Sequence, residues 1–175
     1  MEKILNVGCA HQTFGTHFID LYPQRKGVIK CDVERGKLPF PDRFFDEVYS
    51  ENLFEHLKNP NKALEEMIRV LKKGGKLILI TDNASFWGWH TPFSGAHFGR
   101  YERISYGEED RHYALYTPWH LENHLRSLKM ERIGAEYLFL DEKNPFFVVR
   151  VISKLMGLVY KRVAYPQLKV VGFKG

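Results

Sequence analysis

Residues 38–81 read LPFPDRFFDEVYSENLFEHLKNPNKALEEMIRVLKKGGKLILIT, and this stretch decides how the chain folds. Phe44–Ser50 has the composition of a buried strand and leads into a loop that holds His56. An amphipathic helix is predicted over Pro60–Leu71, started by Asn59 as a cap and Pro60 as its first residue. Ala63, Leu64, Met67, Ile68 and Leu71 share one face. Glu65, Glu66, Arg69 and Lys72 have the spacing of outward charges and carry no assigned chemistry. Gly74-Gly75 is predicted to end the helix and turn the chain into an apolar strand over Lys76–Thr81. A strand–helix–strand unit of this kind is the crossover of a parallel sheet.

The flanking sequence extends the same pattern. Lys3–Gly8 is a short apolar run ending at glycine, as in a buried parallel strand that enters a turn. Phe14–Tyr22 carries Phe14, Phe18, Ile19 and Leu21 at helical spacing before Pro23, which predicts a helix. Val28–Val33 is predicted as the second strand. Periodicity is lost over residues 82–118, where aromatic, histidine and glycine residues crowd together. A loop of that length reads as a functional insertion or lid. Thr117 and Pro118 then start a helix as cap and first residue. Arg132–Leu140 and Gln167–Phe173 are predicted strands, with a helix from Asn144-Pro145 to about Arg162 between them.

Composition narrows the class. At 175 residues, with 44% apolar and 14% aromatic side chains, the chain is expected to form one α/β domain over 1–175. Cys9 and Cys31 are too few for a disulfide framework, and no charged-then-apolar leader or bilayer-length apolar run occurs. A reducing, cytoplasmic setting is the expectation. Net charge is +5, and residues 143–175 hold seven Lys or Arg without an acidic residue. The remainder holds 19 basic against 21 acidic residues, so an anionic partner would meet the C-terminal segment. In the helix over 144–162, apolar residues cover all but a narrow basic stripe, an excess that suggests a homodimer, a lipid-like acceptor or an anionic surface. Core packing is the plainer reading of the same helix.

The central wording, LPFPDxxFDxVxSxxxxEHLxxPxxALxExxRVLKxGGxLxI, resembles the class I S-adenosylmethionine-dependent methyltransferases of the small-molecule, type 11-like group. The resemblance implies a three-layer Rossmann-like sheet, mostly parallel with an antiparallel last strand. It also implies S-adenosyl-L-methionine as cofactor and S-adenosyl-L-homocysteine as product. In that family the first strand ends in an acid followed by Gly-x-Gly-x-Gly; here the matching residues are Asn6, Val7, Gly8, Cys9, Ala10, His11 and Gln12. The family then has a strand ending in the acid that holds the ribose hydroxyls, a helix, and a third strand bringing an Asp to the adenine. Here Asp32-Val33-Glu34 runs almost directly into Leu38, so the fold is expected to be reduced by about one strand and one helix. Asp32 aligns with either acid, with Glu34 in reserve.

The cofactor residues implied by the resemblance are thus Asn6, Gly8, Cys9, Ala10, Asp32, Val33 and Glu34, with Ser50, Glu51, Asn52 and Leu53 beneath the methionine half. His56 is either a base for an acceptor hydroxyl, since its unperturbed pKa lies near neutrality, or a capping histidine. Trp87, His90, His97, His112, Tyr113 and Tyr116 are candidates to line a flat or aromatic acceptor, or to pack the loop onto the sheet. No metal is expected: His120 and His124 stand four apart, but Glu122 falls outside the His-Glu-x-x-His order. Three functions remain open: methylation of a small molecule, methylation of RNA or protein docked on the basic segment, and a non-catalytic protein that keeps the fold.

Overall fold

The structure is a computed structural model and describes residues 2–90, 102–103, 109–110, 112–139 and 147–175. The strands and helices are β1 (Ile4–Val7), β2 (His17–Asp20), β3 (Val28–Lys30), β4 (Phe45–Glu51), α1 (Pro60–Val70), β5 (Leu71–Asp82), β6 (Glu102–Arg103), β7 (Glu109–Asp110), α2 (Pro118–Ser127), β8 (Met130–Leu138), α3 (Phe147–Gly157), α4 (Lys161–Ala164) and β9 (Gln167–Lys174). Single 3-10 turns occur at Phe54–His56 and Trp87–His90. Seven strands form the main sheet in the order β3-β2-β1-β4-β5-β9-β8, and β6 pairs with β7 separately. β9 runs antiparallel between β5 and β8, and the remaining pairs of the main sheet are parallel.

Register puts Leu5, Val48 and Leu77 side by side, then Val7, Ser50, Leu79 and Val170. These rows share a face, because side chains alternate along a strand. They form one core with Ala63, Leu64, Met67 and Ile68 of α1 and Leu121 and Leu125 of α2. The other face carries Tyr49, Ile78 and Val171, together with the ion pairs Lys76–Glu47 and Lys169–Glu136, both at 2.6 Å.

Two expectations from the sequence are corrected here. Phe14–Tyr22 is not a helix: it contains β2, which pairs in parallel with β1 through Leu5–His17, Asn6–Phe18 and Val7–Ile19. Val28–Val33 therefore supplies the third strand, and no strand is missing. The reduction lies in the helices, since among the described residues none joins β1 to β2 or β2 to β3. Parallel neighbours ordinarily need a crossover of a dozen or more residues, whereas residues 8–16 close this one. Thr16 accomplishes the return by bonding both the N–H and the carbonyl of Ile4, at 2.9 and 3.0 Å. Gly15 turns the chain with φ +118°.

The end of α1 also differs from expectation. The helix stops at Val70, and β5 begins at Leu71 with a looped-out Lys72–Gly75 segment between the pairs Phe45–Leu71 and Glu47–Lys76. Lys174, from the far end of the chain, donates to the carbonyls of Ile68, Leu71 and Arg69 at 2.6, 2.9 and 3.3 Å, a cationic cap on the helix C-terminus. At the helix start Pro60 takes the first position, but the Asn59 side chain makes no cap bond.

Glu66 and Arg69 are not solvated outward charges. The Arg69 guanidinium donates to both Glu66 carboxylate oxygens, Asp42 Oδ1 and the carbonyls of Leu38 and Phe40, at 2.6–3.1 Å. Glu66 in turn accepts from Leu38 N at 2.8 Å. The Leu38–Asp42 turn is thereby clamped onto α1. The bond to Arg69 holds the Glu66 carboxyl below the usual carboxylate range, ahead of the opposing effect of burial. A lowered folded-state pKa stabilises fully above the unfolded value and is lost as pH falls through the folded one. Arg69→Met is expected to cost about 1–3 kcal/mol in urea unfolding at neutral pH. The gap to the native chain should narrow on acidification below ~pH 4.5; a gap that is absent or pH-independent would refute the clamp.

Candidate functional site

The carboxyl ends of β1, β2, β3, β4 and β5 lie along one edge of the sheet, where open α/β sheets bind ligands. The loop after β1 is built from its own polar contacts. Asn6 is fully buried and its amide nitrogen donates to Gln12 Oε1 and the Phe14 carbonyl, both at 3.0 Å. Gln12 reaches Glu51 at 2.7 Å, and Glu51 also accepts from Tyr49 Oη at 2.6 Å. Burial first, then the bond to Glu51, pushes the Tyr49 phenol up. Gly8 has φ +71°, and a Cβ there would come within 3.1 Å of Leu53. The site residues after β1 and β4 are thus packed against one another, with Ser50 Oγ donating to the Val7 carbonyl at 3.1 Å. Cys9 is buried, and burial followed by the nearby Asp20 charge raises its thiol pKa.

Sequence reasoning missed Asp20. It closes β2, and its two carboxylate oxygens accept from Ala10 N and Tyr22 N, each at 2.8 Å. The signal was present in the short run His17-Phe18-Ile19-Asp20, an acid closing a strand-sized apolar segment, but helical spacing masked it. Asp32 lies just beyond β3, accepts from Glu34 N at 3.0 Å and pairs with the exposed Arg35 at 3.2 Å. The Glu34 carboxylate points toward α1 and accepts from Asn59 N at 2.6 Å. Val33 packs in the main core.

The second half of the edge is a buried polar cluster at the end of β5. Thr81, Asp82 and Asn83 are fully buried, as is Glu55 from the loop after β4. Thr81 Oγ1 donates to Glu55 Oε2 at 2.6 Å. Asp82 Oδ2 lies 3.3 Å from His112 Nδ1, and the His112 ring meets that of His56 edge-on at 4.6 Å between centroids. Tyr113 and Ala114 donate their backbone N–H groups to the Glu55 carbonyl. Tyr116 is buried against Phe54, and burial, then the Glu55 charge, raises its phenol pKa. Asn52 accepts from the Gln167 amide across the top of the sheet. His56, His112, Tyr113 and Tyr116 therefore gather around Glu55 and Asp82.

Trp87 and its neighbours lie elsewhere on the rim. Trp87 Nε1 donates to Ser153 Oγ at 2.8 Å, while Phe86 and Trp89 pack on Val149 of α3. His90 is exposed at the end of this turn. His97 lies outside the described residues, as do Asn144 and Pro145, where the sequence predicted a helix to start, and much of the 82–118 stretch. An open cleft of about 330 Å³ lined by Glu2, Asp46, Glu47, Lys72, Lys76 and Phe173 sits at the opposite, amino-terminal end of β4 and β5, away from these groups.

Residues 16–79 match a family model described as a methyltransferase domain. An uncharacterised protein of Methanocaldococcus jannaschii is 45% identical over 65 residues, which span 36% of this chain and 32% of that protein. A ubiquinone/menaquinone biosynthesis C-methyltransferase of Bordetella avium is 48% identical over 50 residues, 29% of this chain and 19% of the relative. The chain thus matches a third or less of the length of these curated relatives. Among solved structures, a methyltransferase of Thermotoga maritima described as a possible histamine N-methyltransferase superposes with TM-score 0.68 at 14% identity, over 100% of this chain and 83% of the other. An S-adenosylmethionine-dependent methyltransferase of Archaeoglobus fulgidus gives 0.66 at 16% identity, over 99% and 86%.

The Thr81–Glu55 bond is the testable joint of the cluster. Replacing Thr81 by Val keeps the shape and removes one hydroxyl donor from the buried Glu55 carboxylate, expected to cost about 1–3 kcal/mol in denaturant unfolding. Thr81→Ser, which keeps the hydroxyl, should recover most of that; equal losses from both would show that the hydrogen bond contributes nothing.

Proposed function

We propose that this chain, whose residues 16–79 match a methyltransferase-domain model and whose fold is that of S-adenosylmethionine-dependent methyltransferases, transfers a methyl group from S-adenosyl-L-methionine to a small lipophilic acceptor. The observation that carries the reading is the meeting of two chemistries on one edge of the sheet. Acidic and glycine positions end β1, β2 and β3, and a histidine–carboxylate cluster ends β5.

The residues present fit the cofactor in kind. Asp20 ends the second strand and Asp32 follows the third, the order in which the resembling enzymes bring acids to the ribose and the adenine. Asp20 already accepts two backbone bonds, but a carboxylate has about four lone-pair sites. Asn6 Oδ1 is buried and takes no hydrogen bond from the described residues, so an acceptor remains for an ammonium group at the β1 end. Gly8, Ala10 and Ser50–Leu53 would form the wall beside it. Bound there, the cofactor supplies an electrophilic methyl carbon on a sulfonium, with S-adenosyl-L-homocysteine as the leaving product.

What this chain contributes is alignment and a proton acceptor. A protonated acceptor would pass its proton to His56. Asp82 lies beside His112, whose ring packs edge-to-face with that of His56. Supporting a lipophilic acceptor are the aromatic residues Tyr113 and Tyr116 beside the cluster and the quinone-pathway name of the Bordetella relative. An RNA acceptor is less well supported, because the basic C-terminal segment exposes aliphatic side chains among its charges.

A second reading, a non-catalytic protein, is favoured by one observation: no helix follows the β1 loop, so the helix N–H groups that could face a ligand there are absent. Calorimetric titration separates the two. The native chain is expected to bind S-adenosyl-L-methionine and S-adenosyl-L-homocysteine, with Asp20→Asn and Asp32→Ala each weakening affinity roughly tenfold or more. Asp32→Ala should leave the melting temperature nearly unchanged. No binding by a folded chain would overturn the enzyme reading. With quinol or phenol acceptors, His56→Gln is expected to slow S-adenosyl-L-homocysteine formation by ~10²–10⁴ while cofactor affinity is retained; an unchanged rate would remove His56 from the chemistry.

A further inference from the structure

The helix α3 presents its side chains the wrong way round for one that packs on a protein core. Its buried stripe is Val149, Ser153 and Gly157, two of them small. The large aliphatic residues point outward: Val148 is 64% exposed and Leu155 63% on the helix, and Leu158 83% and Val159 90% in the turn after it. Phe147, Val151, Ile152 and Tyr160 are exposed beside them. The small stripe is what lets the helix seat closely, since a Cβ on Gly157 would approach Tyr165 to 2.3 Å and Ser153 receives the Trp87 indole N–H.

Charge decides what can cover this face. At about 100° per residue, Arg150 and Lys154 fall along one edge of the apolar surface, and Lys161 and Arg162 follow directly after it. No acidic residue occurs anywhere in residues 143–175. A twofold contact of α3 with its own copy would set these cations against one another around a buried apolar centre. Long basic side chains beside an aliphatic face instead match a negatively charged lipid surface, where the stems lie along hydrocarbon and the charges reach headgroups.

Position gives the surface a consequence. The α3–α4 excursion leaves the sheet after Leu138 and returns at Gln167, which pairs with Leu138 on one side and with Asp82 on the other. The helix therefore stands at the same carboxyl-terminal edge as the Glu55–His112 cluster, and Asn83 ties the two by donating to the carbonyls of Arg162 and Tyr165 at 2.8 Å.

We propose that the outward face of α3, with the turn after it, docks on an anionic lipid bilayer and brings the mouth of the candidate site to the membrane surface. The docking itself does not depend on methyl transfer, and its test uses no cofactor. The full chain is incubated with phosphatidylcholine vesicles, with or without phosphatidylserine, and sedimented. Binding to the anionic vesicles is expected, weaker by roughly tenfold or more on neutral ones. Leu155→Glu combined with Val159→Glu should abolish it without lowering the melting temperature, because both side chains are exposed. No binding by the folded native chain, or equal binding by the double variant, overturns the proposal. So does a native dimer in analytical ultracentrifugation that the double variant dissociates while neither binds vesicles, which would make a second copy the occupant. Vesicle binding without cofactor binding would leave the docking intact and overturn the methyltransferase reading; the converse would do the opposite.

Discussion

Three consecutive polar residues, Thr81 and Asp82 at the end of β5 and Asn83 just beyond it, are fully buried, and the rim is built around them. A buried polar group without a partner costs about 1–3 kcal/mol, so each of the three must recruit one. Thr81 donates to Glu55 from the loop after β4, and Asp82 draws in the segment before α2, with Tyr116 N on its carbonyl and His112 Nδ1 3.3 Å from its carboxylate. Asn83 reaches the carbonyls of Arg162 and Tyr165 and also caps Ser85 N at 3.0 Å. Segments far apart in sequence are thereby drawn to one point. The apolar half of the same strand, Leu77 and Leu79, sets the core register, so one strand fixes both the packing and the site.

The central crossover was legible because its residues obey local rules: strand alternation, an apolar helix face, a proline start. Its sheet neighbours were legible in part. Residues 14–22 have spacing that suits a helix, yet His17–Asp20 is pulled into the sheet by pairing with β1 and by the Thr16 clamp on Ile4. Tertiary pairing overrides local periodicity in so short a segment. Glu66 and Arg69 show the same limit from the other side. Their helical spacing marks them as surface charges, and nothing in the local pattern says that the Leu38–Asp42 turn folds back to receive three guanidinium bonds while Glu66 takes two more. Of the site, His56 could be named from its loop, but its neighbour Glu55 was passed over, and Asp82, the residue beside His112, looks in sequence like an ordinary strand end.

Removing the helix after β1 has a structural price that the loop itself meets. Without that helix, the Gly8–Thr16 segment must close a parallel pairing unaided, and it does so through side chains. Asn6 holds Gln12 and Phe14, Gln12 holds Glu51, and Asp20 holds Ala10. The acid that the resembling enzymes place at the end of the first strand would be a poor substitute here, since a carboxylate cannot donate to the Phe14 carbonyl. Asn6 is thus better explained as the pin of a short loop than as a degraded ligand contact. Its remaining oxygen is what such a pin leaves available.

The apolar face of α3 and the polar cluster under it follow from one placement. An excursion inserted between β8 and β9 must leave and re-enter the sheet at the carboxyl edge, because the two strands are antiparallel neighbours. Anything that covers the excursion therefore also borders the site. Trp87, Phe86 and Trp89 join the two by packing on, or bonding to, the inner stripe of α3, which frees its outer side chains from any role in the core. An aliphatic surface with basic margins at that edge has a use only if something apolar and anionic approaches the same edge. The aromatic histidine cluster and the helix then face a single environment from two sides.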